Sequence, residues 1–205
     1  MSPPRVKICG VTRPEDALQA ARLGADALGF NFWPGSRRFV APAAARAMVE
    51  RLPPFVTPVG VFVNQAEAEI VRAAEESGVR VVQLHGDEPP ELCARLPFPV
   101  VKAVRVAAPL ALDALRAYRV AAFLLDAPSA GYGGGGATFD WSLAEGVAGL
   151  GPLILAGGLT PENVAGAVRR VRPYAVDVAS GVESAPGVKD PSRMARFIAA
   201  AREVA

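Results

Sequence analysis

The sequence predicts a (β/α)8 TIM barrel of the α/β class, one domain over residues 1–205, and three features point to it. Short Val-rich apolar runs alternate strictly with longer segments at helical spacing, which is the pattern of a parallel sheet. The strand–helix unit occurs eight times, the number that closes a barrel, and 205 residues lies at the short end of the range for that fold. Polar and small residues gather at the C-terminal ends of the apolar runs, where such barrels build their sites.

The strand-like runs are Val6–Cys9, Ala27–Phe32, Val59–Val63, Val81–His85, Val100–Val106, Ala122–Asp126, Leu153–Ala156 and Ala175–Ala179. Helical segments begin near Pro14, Pro42, Ala66, Pro89, Pro109, Asp140, Pro161 and Pro191. Thr12-Arg13-Pro14-Glu15 reads as a capping box, with Thr12 as N-cap and Glu15 at N3. Pro14, Pro161 and Pro191 are expected in first turns, where a missing N–H costs least. In the last helix Met194, Phe197, Ile198 and Ala201 form one apolar face, which should cover the sheet.

An open doubly wound sheet is the rival architecture. Gly131–Gly136 spells G-x-G-x-x-G, but it follows the sixth strand rather than the first, and no acidic residue stands at the expected distance. It reads as a loop, not a dinucleotide site. Leucine-rich repeats are excluded, since no leucine recurs at fixed positions.

Strand alternation assigns the inward side chains. Val6 and Ile8 belong on the helices, so Lys7 and Cys9 point into the barrel. Val176 and Val178 likewise face outward, leaving Ala175, Asp177 and Ala179 inside. Closure makes the first and eighth strands neighbours, so Lys7 and Asp177 are expected to pair, which offsets the cost of burying either charge alone.

Composition narrows the function. Basic and acidic residues nearly balance, 22 against 20, with no basic run, so a nucleic-acid partner is not indicated. No apolar run approaches the ~18 residues of a membrane span, and Met1-Ser2-Pro3-Pro4-Arg5 lacks a signal core, so a cytoplasmic protein without a membrane partner is expected. Two cysteines, Cys9 and Cys93, make no disulfide framework, and one histidine, His85, makes no zinc cluster. Cys93 falls at helical spacing and reads as core filler. Many arginines and prolines with few Asn and Gln fit a heat-adapted protein or a GC-rich genome equally. A homodimer stays open, because no exposed apolar stripe marks one.

The strand ends bring together Cys9, Asn31, Asn64, His85, Arg105, Asp126, Gly157-Gly158 and Ser180-Gly181. The glycines after the seventh and eighth strands suit an anion, because glycine lets backbone N–H groups approach closely and phosphate sites recur there. The alternative is two ordinary turns. Arg37-Arg38 in the second loop is either a solvated pair or a fork for a substrate carboxylate. Cys9 and Asp126 could face each other across the mouth as a proton-transfer pair. Cys9 would then need a lowered pKa, with Lys7 as the candidate cause, and Asp126 a raised one, with Leu124 and Leu125 contributing an apolar wall. Gln83 and His85 share a face and both can line the site, though a lone histidine at a strand end is more often structural than a base.

These residues resemble the phosphoribosylanthranilate isomerase family over nearly the whole chain. The likeness rests on Lys7-Ile8-Cys9-Gly10, Gly24-Ala25-Asp26-Ala27, Ser36-Arg37-Arg38, Gln83-Leu84-His85-Gly86 and the leucine–aspartate end of strand six. It continues through Thr138-Phe139-Asp140-Trp141, Ala156-Gly157-Gly158-Leu159 and Asp177-Val178-Ala179-Ser180-Gly181-Val182-Glu183. The resemblance implies an Amadori rearrangement of N-(5'-phosphoribosyl)anthranilate to 1-(2-carboxyphenylamino)-1-deoxyribulose 5-phosphate in tryptophan biosynthesis. It implies Asp126 as general acid on the furanose ring oxygen and Cys9 as general base at C2'. It aligns Arg38 with the ligand of the anthranilate carboxylate, and Gly157, Gly158, Ser180 and Gly181 with the phosphate loops. A phosphorylated small molecule is the implied partner, and no metal or organic cofactor is implied. Gly10 is expected to be a turn that leaves room for substrate.

The chain departs from the family at Gly135, often Ser or Thr, and at Ala137, often a longer polar residue. The run Gly133–Gly136 is therefore expected to be a mobile lid. The related histidine-pathway isomerase has Asp where Cys9 stands, and a ribulose-phosphate epimerase would want several metal-binding histidines. A non-catalytic phosphoribosyl-binding barrel would keep the glycine loops without the acid–base pair.

Overall fold

The computed structural model of the chain describes residues 3–106, 111–127, 138, 140–144 and 146–203. Eight strands form a closed parallel barrel in chain order: β1 (Arg5–Cys9), β2 (Ala27–Asn31), β3 (Thr57–Phe62), β4 (Val81–Leu84), β5 (Val100–Arg105), β6 (Ala122–Asp126), β7 (Leu153–Leu155) and β8 (Ala175–Val178). β8 pairs with β1 and shuts the ring, with Lys7 opposite Asp177. The helices are α1 (Pro14–Arg22), α2 (Pro42–Val49), α3 (Glu67–Ser77), α4 (Pro90–Arg95), α5 (Leu112–Leu115), α6 (Val164–Val171) and α7 (Pro191–Arg202). The open doubly wound alternative is thereby excluded.

Alternation along the strands separates two cores. Inside the barrel Val101, Ala103, Ala122, Leu124, Ile154, Ala156 and Ala175 form a small cluster of mostly short side chains. Outside it Val6, Ile8, Leu28, Phe30, Val82, Leu84, Val176 and Val178 pack against the helices, including the Met194, Phe197, Ile198 and Ala201 face of α7. Cys93 is buried in that outer layer, as expected of core filler.

Helix starts differ from expectation in three places. Thr12 does not cap α1: Arg13 is the N-cap with no side-chain cap bond, and the Thr12 hydroxyl donates to the Gly187 carbonyl at 2.7 Å. A tertiary partner has taken the hydroxyl that a capping box needs. Pro161 lies in a turn, and α6 starts at Val164 behind the N-cap Asn163. The side chain of Asn163 instead clamps that turn, accepting from Thr160 N–H at 2.8 Å and donating to the Gly158 carbonyl at 2.9 Å. The segment after Asp140 forms two 3-10 turns, Trp141–Ala144 and Val147–Gly149, instead of an α-helix. Gly146, Gly149 and Gly151 punctuate it, and each glycine disfavours a helix interior. Pro191, by contrast, does open α7, whose N-cap Asp190 accepts from the Arg193 N–H at 3.0 Å.

The loop after β8 contains a hairpin that strand periodicity did not reveal, β9 (Glu183–Ala185) against β10 (Val188–Lys189). The residues of the glycine run 131–136, the proposed lid 133–136 within it, Ala137 and the expected helix start at Pro109 lie outside the described residues.

Candidate active site

Parallel strands put all their C-terminal ends at one face, so β1 and β6 deliver Cys9 and Asp126 to the same mouth. Counted through β7 and β8, they stand three strands apart.

Beneath Cys9, the Lys7 ammonium donates to Asp177 Oδ1 at 2.9 Å, and both residues are buried. Burial pulls the Lys7 ammonium down, but Asp177 and the Cys9 sulfur outweigh it, and its pKa ends above the ordinary lysine value. The Cys9 thiol shifts the opposite way from expectation. Burial pushes it up, Asp177 pushes it further, and Lys7 and Lys189 pull back only part of the rise. The partner that neutralises Lys7 also repels a thiolate, so in the free protein Cys9 rests as a neutral thiol.

Asp126 ends β6 with Oδ1 accepting from the Ala127 N–H at 2.9 Å, and Oδ2 lies 3.0 Å from His85 Nε2. His85 Nδ1 lies 2.9 Å from Gln83 Nε2. Gln83 and His85 thus share the inner face, as alternation requires, and they connect to Asp126 in a chain of three side chains. Arg105, level with Asp126 on β5, pairs with Asp87 at 2.5 Å.

Arg38 lies over Gly10, where an added Cβ would overlap the Arg38 side chain. Gly10 has φ 71°, the left-handed region that favours glycine. The room it leaves is therefore filled by Arg38, not held open for substrate. The Arg38 guanidinium is gripped by Glu183 through two bonds of 2.7 Å. Lys189 completes the group, donating to Glu183 at 2.8 Å, to the Cys9 carbonyl at 2.5 Å and to the Ala179 carbonyl at 3.2 Å. Burial pushes the Glu183 carboxyl up, but Arg38 and Lys189 together hold it below the ordinary value. Lys189 is pulled down by burial, and the Arg38 charge adds to that.

Glu183 closes one of the motifs of the family likeness but was given no role from the sequence, and Lys189 was not singled out. The available signal was Pro186-Gly187, a turn between two short segments, which predicts a hairpin when read with its neighbours. A second buried pair, also missed, ties down the loop behind His85. Lys102 donates to Glu88 and to the Gly86 carbonyl, both at 2.7 Å. Asn31 fixes the turn after β2, accepting from Trp33 N–H at 2.9 Å, and Asn64 after β3 ties to the loop after β4, accepting from Asp87 N–H at 2.7 Å.

The two glycine turns touch. Gly157 and Gly158 both have positive φ, 81° and 62°, and a Cβ at Gly157 would overlap the Ala127 backbone. A Cβ at Gly181 would overlap the Leu159 carbonyl oxygen. Ser180 and Gly181 open a short 3-10 turn after β8. The pair of turns brings backbone close together at one side of the mouth, a setting that suits a phosphate. Among the described residues, no group of three or more His, Cys, Asp or Glu could hold a metal, and no helix is long and apolar enough to cross a membrane.

Comparison with known proteins agrees with this geometry. Residues 6–200 match the family described as N-(5'phosphoribosyl)anthranilate (PRA) isomerase. The chain is 52% identical to N-(5'-phosphoribosyl)anthranilate isomerase of Myxococcus xanthus, covering 98% of this chain and 97% of that protein. Phosphoribosyl anthranilate isomerase from Thermotoga maritima superposes with a TM-score of 0.92 at 47% identity, covering 98% and 99% of the two chains. A phosphoribosyl anthranilate isomerase in complex with reduced 1-(o-carboxyphenylamino)-1-deoxyribulose 5-phosphate superposes with a TM-score of 0.88 at 44% identity, covering 98% and 99%. The Thermotoga maritima protein is also known as a dimer from which monomers have been generated.

Proposed function

Because the chain belongs to the N-(5'-phosphoribosyl)anthranilate isomerase family and is thus an isomerase of tryptophan biosynthesis, we propose that Asp126 is its general acid and Cys9 its general base. One observation supports this above the others: both residues end inward-facing strand positions at the same mouth, and each has its own proton-handling neighbours. His85 adjoins Asp126, and the Lys7–Asp177 pair adjoins Cys9.

The reaction turns an aldosamine into a ketosamine, so one proton must be given and one taken. In this reading Asp126 gives its proton to the furanose ring oxygen, and the ring opens to a Schiff base. Cys9 then takes the proton from C2', and the enolamine relaxes to the ketone. The raised thiol pKa sets a condition on this order: Cys9 first releases its thiol proton to solvent at the mouth, a step that a cationic Schiff base beside it favours, and the thiolate so formed then takes the C2' proton.

Arg38 would hold the substrate carboxylate. Glu183 takes two of its N–H bonds and leaves the rest of the guanidinium to bind, aimed by a buried support. The turns at Gly157-Gly158 and Ser180-Gly181 would hold the phosphate. The ligand in the related complex is itself a phosphorylated carboxyphenylamino sugar, which fits both subsites.

A second copy of the chain is the proposed protein partner. Phe55 is 94% exposed, between Pro54 and Val56. Both of these line a cavity of about 410 Å³ with Val49, Leu52 and Pro53. A knob beside a hollow is self-complementary under two-fold symmetry, and a dimer is known for the Thermotoga maritima relative.

The acid–base reading is tested by following loss of anthranilate-type fluorescence with freshly made substrate. Cys9→Ser and Asp126→Asn should each lower kcat by about 10²-fold or more while the fold is kept. Turnover near wild type in either variant would remove that residue from its role.

A further inference from the structure

The Gln83 side chain is only 1% exposed, yet its Oε1 has no hydrogen-bond partner among the described residues. Its Nε2 has one, His85 Nδ1 at 2.9 Å. Its register neighbours across the sheet are apolar, Val61 on β3 and Val101 on β5. Among the described residues, the histidine ring is the one hydrogen-bond partner of the amide. An orphaned buried carbonyl is costly, and it asks for an explanation.

Counting protons supplies one. With Gln83 N–H donating, Nδ1 must be a bare lone pair, and the single ring proton sits on Nε2, donated to an Asp126 carboxylate. The His85–Asp126 pair then holds one proton, and Asp126 has none to give. Loading a second proton makes either imidazolium beside carboxylate or neutral ring beside carboxylic acid. In both loaded forms Nδ1 carries hydrogen and needs an acceptor. The orphaned Oε1 becomes that acceptor once the amide turns over and the NH2 group takes the unpartnered place, so one end of the amide is held in reserve in either form.

We propose that Gln83 is a positioning residue whose amide turns over with the proton count of the His85–Asp126 pair, stabilising the loaded form from which Asp126 gives its proton. This rests on the reading of Asp126 as general acid. Among the described residues, the other charged and titratable groups around the pair have partners of their own. Arg105 on β5 binds Asp87, Lys102 on β5 binds Glu88 from the β4–α4 loop, and Lys7 on β1 binds Asp177 on β8. Cys9 also adjoins that last pair.

The chain has a single histidine, so protein labelled with ¹⁵N-histidine gives one imidazole to observe. Its nitrogens are followed by NMR against pH in wild type, Gln83→Glu and Gln83→Met, alongside the pH profile of kcat. Wild type should pass from Nε2–H alone at high pH to a protonated Nδ1 at lower pH. Gln83→Glu, an acceptor only, should move that midpoint up by about one pH unit or more, and Gln83→Met, which bonds neither form, should move it far less. The alkaline limb of kcat should move with it, because the acid must be loaded to act. Lower kcat with neither midpoint nor limb displaced would reduce Gln83 to packing and overturn the proposal. A displaced midpoint with an unmoved limb would keep the hydrogen bond but overturn both the acid reading and the loading role. Should Gln83→Glu fail to fold, wild type decides alone: an Nδ1 unprotonated throughout the active pH range overturns the proposal.

Discussion

Lys7 and Asp177 meet at 2.9 Å across the seam that closes the barrel, 170 residues apart in the chain and both buried. The pair therefore belongs to closure as much as to the site. Removing one partner leaves the other charge stranded in a dry interior. Asp177→Asn is expected to cost about 3–5 kcal/mol of stability, read by urea unfolding. Lys7→Met combined with Asp177→Leu should recover most of that loss, since no charge is then stranded. A single variant as stable as wild type would show that the pair carries no such burden.

Cys9 makes a second prediction with a definite sign. Burial and the Asp177 charge disfavour the thiolate, so alkylation by iodoacetamide in the free enzyme should rise only through a midpoint above the ordinary thiol range of about 8.5. Asp177→Asn removes a negative charge and should lower the midpoint. Cys93 is buried, and peptide mapping separates its signal from that of Cys9. A midpoint below the ordinary range in wild type would contradict the neutral resting thiol.

How much of this was legible in the sequence depends on the range of the interaction. The eight strands were, because Val-rich runs carry their own signal. The Lys7–Asp177 pair was expected too, because alternation turns both inward and closure makes their strands neighbours; the register that sets them opposite each other is seen only in the fold. The sign of the Cys9 shift was not legible, since it sums burial, the Asp177 carboxylate and the opposing Lys7 and Lys189 ammonium groups, whose balance depends on distances. Lys102 was missed because it sits on the outward face of β5, where alternation expects an apolar residue, and its partner Glu88 comes from a loop. Thr12 looked like a cap because local pattern cannot see the Gly187 carbonyl that claims its hydroxyl.

Glu183 is expected to govern Arg38. Glu183→Gln loses the charge-assisted grip, and if Arg38 holds the substrate carboxylate, KM should rise by about tenfold with a smaller change in kcat. The stability effect has its own pH window. The Glu183 carboxyl is held below its ordinary value of 4.5, so its contribution is fully present above that value and fades as pH falls through the lower folded value. Wild type should therefore lose stability over that acid interval faster than Glu183→Gln does. Parallel stability curves for the two would argue against the network.

Phe55→Glu should abolish self-association if Phe55 seats in the hollow of a second copy. Sedimentation equilibrium reads the mass directly, and the isomerase assay should stay within about twofold, because Phe55 precedes β3 and lies away from the strand ends that form the mouth. A variant that sediments as wild type does would exclude this surface.

Gly181→Ala tests the phosphate turns. Its Cβ would overlap the Leu159 carbonyl oxygen, so the turn after β8 must move away from the turn after β7. No flexible side chain can yield instead, because the obstructing atom is backbone. Substrate carries its phosphate through the whole reaction, so a displaced turn weakens ground state and transition state alike. The expected result is a KM raised by about tenfold or more with kcat changed less, and inorganic phosphate weakened as a competitive inhibitor by a similar factor. Ser184→Ala, an exposed position in the neighbouring hairpin, should leave both values unchanged. If Gly181→Ala lowered kcat while phosphate inhibited as in wild type, the two turns would be acting on the chemistry and not on the phosphate.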